Sequence, residues 1–99
     1  MDLGATPIIT NIDDTLNMCP KDLKSKITKK TKAVIPVLML GFSADMRQIK
    51  KICKKKKVPI LEDNCESVGA LLDKKFLGTH SDIGVFSFDF GKNITTGEG

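Results

Sequence analysis

Two short polar stretches hold the side chains best suited to chemistry. Glu62-Asp63-Asn64-Cys65-Glu66 sets carboxylates, an amide and a thiol side by side. Ser87 to Gly99 carries Ser87, Asp89, Lys92 and Glu98 among glycines and threonines. Carboxylates, an amine and hydroxyls brought to one place can bind and orient a polar ligand. Singly, each has an ordinary role. An Asp after a strand is commonly a cap or turn residue, a lone Lys in a polar loop is a solvated charge, and Gly97-Glu98-Gly99 makes a turn. Only the joint arrangement points further. His80 is the single histidine, which leaves little support for a histidine nucleophile relay or a histidine-rich metal site. Cys19, Cys53 and Cys65 show no Cys-x-x-Cys spacing and read as buried free thiols in a reducing compartment. Asn93-Ile94-Thr95 matches a glycosylation sequon. Met1-Asp2-Leu3-Gly4 resembles no secretory leader, so a cytoplasmic location is expected and the sequon is discounted.

Few elements are available to position these groups. Thr6 to Ile12 is β-branched and runs into Asp13-Asp14, as a strand entering a loop does. Pro20 suits the first turn of a short helix, with Leu23 and Ile27 on one face. Thr31 to Leu40 is a nearly unbroken apolar run, the pattern of a strand buried on both faces of a parallel sheet. Pro36 marks where that strand ends or bulges, because proline cannot donate to a ladder. Ser43 suits an N-cap, and Met46, Ile49, Ile52 and Cys53 recur at helical spacing, predicting a helix from Ala44 to Lys56. Val58 to Leu61 reads as a short strand, Leu71 to Thr79 as a hairpin or irregular excursion, and Ile83 to Phe88 as a further strand. Strands alternating with helices predict an α/β fold with a mainly parallel sheet. Such sheets bind ligands beyond the carboxyl ends of their strands, where both polar stretches fall.

The 99 residues allow one domain, with 40% hydrophobic residues, 28% charged residues and a net charge of +4. This is an ordinary globular composition. No apolar run is long enough for a membrane span. Basic residues concentrate in Lys21–Lys32 and Arg47–Lys57, and acidic ones dominate the C-terminal part. The lysines have no interleaved aromatics and no reader motif, so a solvated face is expected rather than nucleic-acid binding. Lys54 to Lys57 ends the predicted helix, where cations complement the dipole.

The segments Glu62–Ala70 (EDNCESVGA), Gly78–Phe88 (GTHSDIGVFSF) and Gly91–Gly99 (GKNITTGEG) together resemble the DegT/DnrJ/EryC1/StrS family of pyridoxal-phosphate-dependent sugar aminotransferases. Leu3–Pro7, Thr31–Val37 and the Gly41…Asp45-Met46 segment extend the resemblance along essentially the whole chain. It implies the large domain of fold type I of the pyridoxal-phosphate transferases, with residues 1–99 an internal fragment incomplete at both ends. Lys92 would form the Schiff base with the cofactor aldehyde. Asp63 would pair with the protonated pyridine nitrogen and keep the ring an electron sink. Ser87 would bond the cofactor phosphate, and Glu66 would lie close to the ring where the family often has Gln. Substrates would be a nucleotide-linked keto sugar and an amino-acid donor such as glutamate, with a homodimer completing the site.

Two positions depart from the family pattern. Leu38 stands where His is common, and Glu66 adds a negative charge beside the cofactor. Sugar dehydratases of the same fold replace the lysine by histidine, so Lys92 argues for transamination. A third reading is a catalytically inactive truncated piece. The isolated chain is expected to be inactive and aggregation-prone, because a partial sheet leaves edges and apolar faces uncovered.

Overall fold

The computed structural model describes residues 4–99, so Leu3, which opens the Leu3–Pro7 motif, lies outside the described residues. Three short extended segments lie side by side and parallel. Strand β1 is Leu61–Asp63; it pairs in register with Ile83–Val85, which we number β4 because a hairpin intervenes. On the other side of β1, residues 34–37 add two isolated parallel bridges, Val34 to Ile60 and Val37 to Asp63. Pro36 explains why this third segment is not a continuous ladder. Val34 N–H donates to Pro59 O (3.0 Å), and Leu38 N–H to Asp63 O (2.9 Å). Between them the ladder requires a donor at residue 36, and proline has none. Its carbonyl still accepts from Asp63 N–H (3.0 Å).

Helix α2, Met46–Lys56, covers one face of this sheet. Val34, Leu38 and Ile60 from the strands meet Ala44, Met46, Ile49 and Cys53, with Leu23 and Ile27 of α1 (Pro20–Lys26 and its C-cap) completing the core. The cap of α2 is Asp45, whose carboxylate accepts from Gln48 N–H (3.0 Å), and not Ser43, whose hydroxyl donates to Ala44 O. An acidic side chain there also suits the helix dipole. Lys57 closes the helix in the left-handed conformation (φ 56°), its N–H bonded to Cys53 O and Lys54 O. Lys50, Lys51 and Lys54 to Lys57 are exposed, while Ile49 and Cys53 face the sheet.

The opposite face is uncovered. Ile35 (51% exposed), Val37, Ile83 (55%) and Val85 point away from α2, so the 31–40 run is not buried on both faces. Thr6 to Ile12 is not a strand. Among the described residues its only pairing is a bridge from Ile12 to Met18, and it is tied to α1 by Asn11 N–H to Asp22 Oδ2 (2.6 Å) and Lys26 Nζ to Ile9 O (2.8 Å). A β-branched segment without a neighbouring strand has nothing to satisfy its ladder. The expected hairpin is present: β2 (Leu71–Leu72) and β3 (Lys75–Phe76) pair antiparallel. Asp73 and Lys74 both take positive φ (52° and 63°), as the type I′ turn between twisted strands demands.

Gly84 is required by a close approach. A Cβ there would lie 1.8 Å from the carbonyl oxygen of Gly78, so the loop before β4 rests directly on the strand. The three cysteines are free, as expected, but only Cys53 is buried; Cys19 and Cys65 are half-buried.

Candidate active site at the strand ends

The carboxyl ends of the three parallel segments lead into loops that are joined by side chains. After residue 38, the chain turns through Met39–Gly41, with Leu40 in the left-handed region (φ 53°). Two buried side chains hold this turn. Asn17 Oδ1 accepts from Met39 N–H (3.0 Å), and Ser67 Oγ accepts from Gly41 N–H (3.0 Å) while donating to Leu38 O (2.6 Å). Ser67 belongs to the turn that follows β1, so one hydroxyl fixes two strand ends together. Neither Asn17 nor Ser67 stands out in the sequence, because nothing in a local pattern marks a polar residue for burial.

Alternation along β1 divides the acidic stretch. Glu62 and Asn64 point into the covered face and are fully buried, whereas Asp63, Cys65 and Glu66 stay accessible. The five residues are therefore not one polar cluster beyond a strand ending at Leu61: the strand runs to Asp63. Glu62 Oε2 accepts from Gly78 N–H (2.7 Å), and Asn64 Nδ2 donates to Leu77 O (3.2 Å). Both side chains hold the 77–84 loop against β1. Glu62 Oε1 and Asn64 Oδ1 have no partner among the described residues.

On the accessible side, Asp63 Oδ1 accepts from Cys65 N–H (3.2 Å), which sets the turn that presents Glu66. The Lys92 ammonium group forms an ion pair with Glu66 Oε1. That hydrogen bond, ahead of any other influence, raises the Lys92 amine above its ordinary range. The Cys65 thiol is likewise pushed up, first by the Asp63 carboxylate and then by burial, and the charge of Lys92 opposes this. Lys92 is thus in electrostatic reach of Cys65 and Glu66 on the β1 loop and of Asp89 on its own loop. Its backbone N–H donates to Asp89 O (3.0 Å), and Asp89 N–H in turn reaches Ser87 Oγ (3.4 Å). Ser87 is half-buried and joins Lys92 only through Asp89.

A cleft of about 300 Å³ opens beside these groups, lined by Leu40, Gly41, Glu66, Ser67, Val68 and Asn93. A larger cleft of about 620 Å³ lies at the amino ends of the strands, among Lys54, Lys57, Pro59, Ile60, His80 and Asp82, and contains none of the four candidate residues. His80 is held there by a hydrogen bond between Nε2 and Lys75 O (3.1 Å). No three His, Cys, Asp or Glu side chains among the described residues are grouped to hold a metal ion. No helix among them is long and apolar enough to cross a membrane.

The chain thus combines an α/β fold with parallel strands and an amine paired with a carboxylate at their carboxyl ends. The chain belongs to the DegT/DnrJ/EryC1/StrS aminotransferase family, which it matches over residues 1–99. It is 43% identical over 97 residues to GDP-perosamine synthase of Escherichia coli O157:H7, covering 97% of this chain and 27% of that protein. Its fold superimposes on 3-amino-5-hydroxybenzoic acid synthase with a TM-score of 0.92 at 37% identity, covering 98% of this chain and 26% of the other. It also superimposes on E. coli GDP-4-keto-6-deoxy-D-mannose-3-dehydratase, solved with bound hydrated pyridoxal phosphate (TM-score 0.82, 39% identity, 90% and 23% of the two chains). The chain spans about a quarter of the length of these relatives.

Proposed function

We propose that this chain is part of the cofactor-binding large domain of a pyridoxal-phosphate-dependent aminotransferase that acts on a nucleotide-linked keto sugar, with an amino acid such as glutamate as donor. The observation that carries the proposal is the meeting of Lys92 with the Glu66 loop at the carboxyl ends of parallel strands. The donor set fits the cofactor. An amine matches its aldehyde, the Asp63 carboxylate a protonated ring nitrogen, and the Ser87 hydroxyl a phosphate oxygen. When bound, pyridoxal phosphate supplies the electron sink for breaking a bond at the amino-bearing carbon.

The rest falls to the protein. Lys92 would hold the cofactor through its Nζ and would serve as the group that moves a proton beside it. Asp63 holds a negative charge where a ring proton must stay. Ser87 offers one hydroxyl donor, and the turn tied by Ser67 and Asn17 keeps the neighbouring wall in place. The likeness to GDP-perosamine synthase supports a GDP-linked sugar. Further chain, and a second copy of the protein, would complete the site.

The test is spectroscopic and kinetic. The intact protein with pyridoxal phosphate should show an absorption band of covalently held cofactor, and Lys92→Ala should lose it. Amino transfer from glutamate to a GDP-linked 4-keto sugar should fall about a hundredfold or more in that variant. The likeness to the dehydratase favours a second reading, in which the sugar loses a hydroxyl group without gaining nitrogen. Mass analysis of the product separates the two.

A further inference from the structure

We propose that Glu66 is a positioning residue that masks the Lys92 amine, holding it as an ammonium group until a ligand entering the cleft draws one member of the pair away. The inference rests on the cofactor reading above and extends it to the charge that Lys92 carries.

The geometry is specific. Glu66 and Lys92 are 26 residues apart, and each arrives by its own loop. Glu66 follows a turn set by Asp63 Oδ1 on Cys65 N–H and pinned one residue later by Ser67. Lys92 follows a turn closed by its own N–H on Asp89 O. The pair is thus prepared by backbone on both sides, unlike two flexible side chains meeting on a helix face. Its Lys92 side chain is 23% exposed and that of Glu66 39%, and Glu66 lines the cleft. The other charged or titratable groups facing Lys92 are Cys65 and Asp89, with Asp63 behind Cys65. A carboxylate here and another at Asp89 both favour the charged amine, and among the described residues only its partial burial opposes them.

An ammonium group has no lone pair with which to attack a carbonyl carbon. Before reacting, Lys92 must give its proton to water or to Glu66. A glutamine at position 66 could keep a hydrogen bond to the amine but could not hold the charge. The consequence is a reaction of Lys92 with carbonyl or acyl reagents that depends on pH through Glu66.

Competitive acetylation measures this directly. The intact protein without added cofactor is treated with trace acetic anhydride across a range of pH, and modification of Lys92, Lys50 and Lys51 is quantified by mass spectrometry. The Lys92 profile should have its midpoint above those of Lys50 and Lys51. Glu66→Gln should move that midpoint down by about half a pH unit, the size carried by a partly exposed pair, and should speed acetylation about threefold at a fixed lower pH. Identical Lys92 profiles in the wild type and Glu66→Gln would overturn the proposal. If Glu66→Gln also disturbs Lys50 and Lys51, Glu66→Asp decides: a Lys92 midpoint still above the surface lysines supports the mask, and one level with them overturns it. A shifted midpoint together with no cofactor band on adding pyridoxal phosphate would leave the mask standing and remove the cofactor reading.

Discussion

The two faces of the same parallel strands have opposite fates. On one, Val34, Pro36, Leu38, Ile60 and Glu62 are buried beneath α2 and the 77–84 loop. On the other, Ile35, Val37, Ile83 and Val85 are apolar and uncovered. Apolar character does not decide which is buried, since the four uncovered residues are all β-branched and the covered five include a proline and a glutamate. The difference lies in what packs against each face, and α2 lies on only one. Alternation at β1 then carries this contrast into the site. Glu62 and Asn64 serve the covered side as anchors, and Asp63 between them stays accessible.

The largest effect should come from Gly84→Ala. The added methyl group meets the Gly78 carbonyl, a backbone atom that cannot rotate away. We expect a loss of about 3 kcal/mol or more in urea denaturation of the intact protein, because overpacking that moves backbone lies at the upper end of such costs. A near-neutral result would mean that the loop does not rest on β4.

Next come paired truncations across the sheet. Leu38→Ala removes a side chain with 0% exposure and should cost about 2–3 kcal/mol. Val37→Ala, one residue away and facing outward at 40% exposure, should cost far less. If Val37→Ala in the intact protein approaches Leu38→Ala, other parts of the molecule cover that face. Glu62→Ala should follow at about 1–3 kcal/mol, the cost of leaving Gly78 N–H buried without an acceptor, while Glu62→Gln keeps an acceptor and should cost less.

How much of this was legible beforehand depended on how local the cause is. Helix α2 is set by its own spacing of Met46, Ile49 and Cys53, and the β2–β3 turn by two residues. The helix is readable without neighbours, whereas Leu71 to Thr79 reads as a hairpin or an irregular excursion and the turn at Asp73 and Lys74 shows only in the structure. Thr6 to Ile12 has the same β-branched character as a strand, but pairing is a property of two segments, and the second was not in view. The extent of β1 was misjudged for a related reason. Val58 to Leu61 is the apolar part, yet Asp63 N–H donates to Pro36 O and Asn64 N–H to Val85 O, which carries the pairing through Glu62 and Asp63. A buried Glu is not expected until its acceptor role toward Gly78 is seen. At the candidate site, the strand-end rule points to the two polar stretches, and the roles proposed for Asp63, Glu66, Ser87 and Lys92 come from the family resemblance alone. The pairing of Glu66 with Lys92, and the Asn17 and Ser67 ties, needed three dimensions.

The smallest effect concerns the start of the helix that makes one face covered. Asp45 caps α2, and hydrogen bonds from the backbone N–H and side chain of Gln48 hold its carboxyl below the ordinary carboxylate range. A carboxyl depressed in the folded protein contributes stability above its unfolded value, and this is lost as pH falls through the folded value. Asp45→Ala should therefore cost about 0.5–1 kcal/mol at neutral pH, a modest figure for an exposed cap. The gap between variant and wild type should narrow as the pH is lowered through and below the carboxylate range. Asp45→Asn keeps an acceptor for Gln48 N–H but carries no charge, so its deficit should be smaller and nearly independent of pH. Thermal unfolding of the three proteins at neutral and acidic pH makes the measurement, with hydrogen exchange reporting where protection is lost. Loss confined to α2 and to Val34, Leu38 and Ile60 would show that the helix start governs the covered face alone. Equal loss at Val37 and Val85 would mean that the two faces are more strongly coupled than their burial implies.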